Sequence, residues 1–134
     1  MHYCFIANED VDFYDYVYYD WCDGDWDDDW IFDWWWPGGR FSEWLKLKDW
    51  NRWSIAKKKD IDIQSTVAPY YYVDNEWELQ EKPFYFEWMS DIWRWTKEEE
   101  EKKRLEVIEY DKRFTEWLMS QPEDMNIYVY DWHM

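Results

Sequence analysis

Residues 23–40, D-G-D-W-D-D-D-W-I-F-D-W-W-W-P-G-G-R, constrain the fold more than any other stretch. They hold six aspartates, five tryptophans and the chain's only three glycines, and they close on its first Lys or Arg. The indoles favour burial or contact with a partner, whereas the carboxylates require water, a cation or a positive partner. Asp27-Asp28-Asp29 in succession resist any regular buried element, so residues 23–29 read as an exposed loop. Residues 30–36 return to strand character and stop at Pro37-Gly38-Gly39, a strong turn signal.

Charge is unevenly spread along the 134 residues. Glu9 and ten aspartates precede position 40 with no Lys or Arg among them. Residues 40–60 reverse the sign, with Arg40, Lys46, Lys48, Arg52, Lys57, Lys58 and Lys59 against Glu43, Asp49 and Asp60, and the remainder is acidic again. The net charge of −17 disfavours direct binding to nucleic acid and favours a basic protein partner drawn in by the acidic field. With 15 Trp, 12 Tyr and 7 Phe the chain is too aromatic for simple disorder. Its length suits one domain, residues 1–134, in which a chain of this size buries roughly two-thirds of its unfolded surface. Cys4 and Cys22 form no C-x-x-C. The first residues lack the pattern of a signal peptide, and no run is long and apolar enough to span a membrane. The expectation is a cytoplasmic, reduced protein.

Residues 3–7 form a short apolar run suited to a buried strand, and an acidic aromatic segment follows over 9–36. Apolar positions 41, 44, 45, 47, 50 and 53, with Ser42 as N-cap, predict a short helix. Residues 65–73 and 76–81 predict a hairpin around Asp74-Asn75. The clearest element is a helix over about 96–120. Thr96-Lys97-Glu98-Glu99 fits a capping box, Val107, Tyr110, Phe114, Trp117, Leu118 and Gln121 trace one face, and Pro122 ends it. Residues 126–132 are the last strand, with Ile127, Val129 and Asp131 on one side. The sum is an α+β fold: an antiparallel sheet of about four to six strands, one long C-terminal helix on one face and a short second helix.

Several chemistries fail on residue type or spacing. D-G-D-W-D-D-D resembles the start of a calcium loop, but the positions that need Gly and Glu hold Asp28 and Trp34. Asp131 and His133 are weak metal candidates, with a satisfied strand-end histidine as the plainer reading. Nucleophilic schemes have only His2 and His133 as bases, and no phosphate-binding glycine motif is present. No cofactor is expected. Trp30, Trp34, Trp35 and Trp36 predict stacking on a nucleotide or sugar as an alternative function, and a metal-dependent enzyme comes third. Carboxylates on an aromatic scaffold can also stand in for a phosphate backbone, with tryptophans supplying interface area. In that reading Asp23, Asp25, Asp27, Asp28 and Asp29 supply charge, and Trp26, Trp30 and Trp34 supply contacts. Gly38, Gly39 and Arg40 form a structural turn, with Arg40 pairing a nearby acid such as Asp33.

Two segments carry a family likeness. Asp33-Trp34-Trp35-Trp36-Pro37-Gly38-Gly39-Arg40-Phe41 resembles a D-W-Y-x-I-G-G-R-W core. Pro122-Glu123-Asp124 with Ile127 to Met134 is similar to a P-D-D segment followed by a strand ending V-D-C-H. Both belong to a family of small uncharacterised proteins from phages, prophages and other bacterial mobile elements. Pro37 stands where an aliphatic residue is usual, Glu43 replaces a glycine and Trp132 replaces the cysteine, so any thiol chemistry of that ending is absent here. The resemblance implies a mobile-element setting, where small acidic proteins often block host defence nucleases. Together these features predict a non-enzymatic inhibitor of a basic host nucleic-acid-binding protein, of anti-CRISPR or DNA-mimic type.

Overall fold

The apolar run near the start forms β1 (His2–Asn8), and its side chains alternate between two cores. Cys4 and Ile6 enter one; Phe5 and Ala7 enter the other. A strand buried on both faces reads in sequence as an unbroken apolar run, which is what residues 3–7 are. The computed structural model describes residues 2–11, 34–48, 52–53, 55–83 and 94–133. Within them lie β2 (Trp34–Pro37), β3 (Leu45–Lys46), β4 (Arg52–Trp53), β5 (Ile55–Lys57), β6 (Tyr71–Val73), β7 (Leu79–Glu81), helix α1 (Lys97–Ser120) and β8 (Asn126–His133).

The result is an α+β fold organised on β8. Strand order is β2-β8-β1-β6-β7, and β5 also pairs with β8. β1 runs antiparallel to β8 along its whole length, from His2 opposite His133 to Asn8 opposite Ile127. On the other edge of β8 two strands lie end to end. β2 covers residues 130–133 and β5 covers 126–128, both antiparallel to β8. β1 pairs in parallel with β6, so the sheet is mixed where the sequence predicted an antiparallel one. The parallel pair follows from a long crossover, and pairing between residues about 65 positions apart leaves no local sequence signal.

The predicted short helix over residues 41–53 is a correction. A 3-10 turn at Gly39–Phe41 leads into the β3–β4 hairpin. The backbone hydrogen bonds of this region go sideways rather than four residues back. Lys48 N–H reaches the Asp60 carbonyl at 2.9 Å, and Asp62 N–H reaches the Lys46 carbonyl at 2.7 Å. The Trp44 indole N–H donates to the Val67 carbonyl at 2.9 Å. Those partners outweigh an apolar spacing that fits a helix and a strand about equally well.

Helix α1 starts on the capping box. Glu99 N–H donates to Thr96 Oγ1 at 3.2 Å, and Thr96 N–H donates back to Glu99 Oε2 at 3.3 Å. With Glu99 committed to the cap, Lys103 pairs forward with Glu106, and Arg104 pairs one turn back with Glu100. The C-terminal half buries Tyr110, Phe114, Trp117 and Leu118 against Cys4, Ile6, Tyr72, Ile127 and Val129. Each such side chain contributes about 1.5–3 kcal/mol by leaving water. The opposite face of the sheet holds an aromatic cluster in which Trp132 meets Tyr71 at 4.9 Å and Phe5 at 5.4 Å between ring centroids. No helix among the described residues is long and apolar enough to cross a membrane.

Candidate functional site

Asp131 is the most constrained polar group in the sheet. β8 carries it next to Cys4 of β1 and, on its other side, next to Trp36 of β2, and its side chain is 1 % exposed. A buried carboxylate needs hydrogen bonds, and this one has two kinds of donor. His2 Nδ1 lies 2.7 Å from Oδ1, and the Arg40 backbone N–H donates to Oδ2 at 2.9 Å. The glycine turn makes the second bond possible. Gly38 N–H donates to the Val129 carbonyl at 2.8 Å, which ends β2 and folds the chain over β8. Gly39 then adopts φ +51, and a Cβ there would lie 2.5 Å from the Asp131 Cβ. Only glycine meets both demands.

Gly38, Gly39 and Arg40 thus close over Asp131, and the backbone of Arg40, rather than its exposed side chain, holds the turn. Asp33, the partner proposed from sequence, lies outside the described residues. Asp131 reaches His2, 129 positions away in the sequence. Among the described residues no three His, Cys, Asp or Glu side chains gather as a metal site requires. Among the described residues, Cys4 is the thiol paired opposite Asp131 on the neighbouring strand. Burial first, and the Asp131 carboxylate second, push the Cys4 thiol well above its ordinary value and keep it protonated. The arrangement closes the sheet edge.

The predicted contact residues Asp23, Asp25, Asp27, Asp28, Asp29, Trp26 and Trp30 lie outside the described residues. Trp34 opens β2 with its backbone paired to His133. The lysine run 57–59 meets the turn after α1: Lys58 Nζ is 2.6 Å from Glu123, and Lys59 is 3.3 Å and Lys57 4.0 Å from Asp124. The bond to Lys58, reinforced by its charge, lowers the Glu123 carboxyl below its ordinary value.

A second polar cluster escaped the sequence reading. Asn8, at the end of β1, donates through Nδ2 to Gln121 Oε1 at 2.9 Å, and Gln121 Nε2 donates to Asn75 Oδ1 at 2.9 Å. This chain of amides ties the β6–β7 loop to the end of α1 beneath a cleft of about 310 Å³. The loop spans residues 74–78 rather than the two-residue turn predicted. Asp74 organises it: Oδ1 accepts the backbone N–H groups of Glu76 and Glu78, and Oδ2 accepts Gln80 Nε2. This locks Trp77 at φ +62 with its side chain 51 % exposed on the cleft. The Asp74 pattern, a carboxylate accepting an N–H two residues on, is readable in sequence. The meeting of residues 8, 75 and 121 is not.

Compared with protein-family models, with curated proteins and with solved structures, the chain matches none.

Proposed function

We propose that this chain is a non-enzymatic acidic binding protein. Its residues 12–33 engage the basic surface of a nucleic-acid-binding protein, such as a host defence nuclease, and block it. What supports the reading is how charge divides between the scaffold and the rest. Residues 12–33 hold nine aspartates and no Lys or Arg, whereas the rest of the chain holds 23 acids against 15 bases. Within the scaffold, bases are drawn into internal pairs, among them Lys58 with Glu123, Lys82 with Asp111 and Lys112 with Glu116. A basic channel would read such a run of aspartates as it reads phosphates. The anchors of residues 9–33 sit at opposite ends of β8, Asn8 opposite Ile127 and Trp34 opposite His133.

The test is a pull-down from bacterial lysate, repeated with competitor DNA and with Asp→Asn changes at 25, 27, 28 and 29. A captured basic protein should be displaced by DNA and by salt, and lost with the substitutions. Capture that ignores all three overturns the reading. A second reading, sequestration of a small neutral ligand, draws on the cleft beside Trp77. Salt-insensitive, stoichiometric binding by calorimetry would select it.

A further inference from the structure

The cleft beside Trp77 has a chemistry that the acidic segment does not use. Its two charged groups are Asp10 and Asp74, and no Lys or Arg lines it. Asp74 is spent on the loop, with both oxygens accepting hydrogen bonds. Asp10 is different: its backbone N–H binds Asn8 Oδ1 at 3.0 Å, while its exposed carboxylate forms no ion pair among the described residues. The half-exposed Trp77 indole lines the same cleft, on a left-handed backbone uncommon for a non-glycine residue. Asn75 and Gln121 also line it and are joined by the amide chain.

A phosphate or other anion is repelled by this set. A cation is attracted twice, by the face of the indole and by the exposed Asp10 carboxylate. Among cations a guanidinium fits best, because its plane stacks on an indole while its fork engages a carboxylate; an ammonium is a point charge that does neither together. The volume, about 310 Å³, suits a single side chain more than a larger ligand. Location adds a further argument. Asp10 and Val11 line the cleft and lead directly into the acidic residues from Asp12 onward, so a basic surface steered to that segment arrives at the cleft.

We propose that the Trp77–Asp10 cleft receives an arginine side chain of the basic partner, which fixes the register of a complex that the acidic segment attracts. The proposal rests on the acidic-segment reading for its partner and on the cleft alone for its chemistry. The test titrates the 15N-labelled full chain with N-acetyl-arginine methylamide, with the neutral citrulline analogue and with methyl glucoside. The readout is the Trp77 indole N–H signal, assigned by its loss in Trp77→Phe. The arginine probe should shift it saturably while the other two do not, and Asp10→Asn should weaken binding by about tenfold. The shift should persist when Asp23, Asp25, Asp27, Asp28 and Asp29 are all changed to Asn, which separates this site from the acidic segment. Equal shifts with citrulline or glucoside overturn the proposal in favour of a neutral polar pocket. Absence of a saturable shift with arginine overturns it outright and leaves the acidic segment to stand on its own pull-down.

Discussion

Replacing Gly39 by alanine tests the joint between the glycine turn and β8. Two penalties add. Alanine at φ +51 costs about 1–2 kcal/mol from the clash of Cβ with its own backbone. The new Cβ would also stand 2.5 Å from the Asp131 Cβ and 2.6 Å from Oδ2, whereas carbon atoms rest about 3.5–4.0 Å apart. The turn must retreat by about 1 Å to relieve that overlap, which carries the 2.9 Å bond from Arg40 N–H beyond hydrogen-bonding range. Leaving the buried Asp131 short of one donor costs about 1–3 kcal/mol. The expected loss is about 2–5 kcal/mol, a large share of the roughly 5–15 kcal/mol that holds a domain together. Urea unfolding followed by circular dichroism measures it, with an unchanged slope showing that the variant still unfolds from the same compact state. Gly39→Asn divides the two causes. Asparagine tolerates the left-handed backbone but carries the same Cβ, so it should keep the contact penalty and shed part of the conformational one. If Gly39→Ala unfolds within about 0.5 kcal/mol of the parent, the range of an ordinary surface change, the turn does not close on Asp131 and the reasoning is wrong.

Two further expectations concern pH. Burial raises the phenols of Tyr71 and Tyr110 well above their ordinary value; Glu81 adds to the first and Tyr72 to the second. Their stabilisation is complete below about pH 10, where the unfolded phenol titrates, and falls as pH rises further, by up to about 1.4 kcal/mol per unit for each. Phenolate absorbance from these two should therefore appear only with loss of the dichroism signal, and their reversible titration near pH 10 in the folded chain would contradict the packing. Glu123 has the opposite sign. Its lowered carboxyl means that the bond to Lys58 stabilises above the ordinary carboxylate range and fades as pH falls through the lowered value. In Lys58→Met the Glu123 carboxyl carbon should titrate at higher pH by NMR, and an unchanged titration would show that Lys58 is not the cause.

What the sequence revealed was what depends on near neighbours. The start of α1 is visible because the cap closes over Thr96 and Glu99, three residues apart. Its buried face is visible because Tyr110, Phe114, Trp117 and Leu118 keep one period. The turn at Gly38-Gly39 is equally local. What the turn closes on is not, since Asp131 lies 91 positions from Arg40 and 129 from His2. Sequence puts Asp131 and His133 together because two positions along a strand share a face, whereas the bond from His2 crosses to the paired strand and has no local signal. Residues 41–53 misled for the same reason. Phe41, Trp44 and Leu45 fit a helix by spacing, and hydrogen bonds from residues 60–66 decide for the hairpin.

The division of charge bears on function because acidity has a plainer purpose. An aromatic protein needs charge to stay soluble, and that need alone explains a negative surface. It does not explain the distribution. Helix α1, the most solvent-facing element of the scaffold, carries eight acids and six bases, a mixture that keeps a surface wetted without strong self-repulsion. Nine aspartates without one base in residues 12–33 go beyond that need, and each adds repulsion that the mixed surface of the helix avoids. A charge that solubility does not require is one that a positive partner can neutralise. In the proposed complex the exposed carboxylate of Asp10 and the Trp77 indole give the partner a place to lodge a cation. In that proposed complex the acidic segment governs how fast a basic surface arrives, and the cleft governs where it stops.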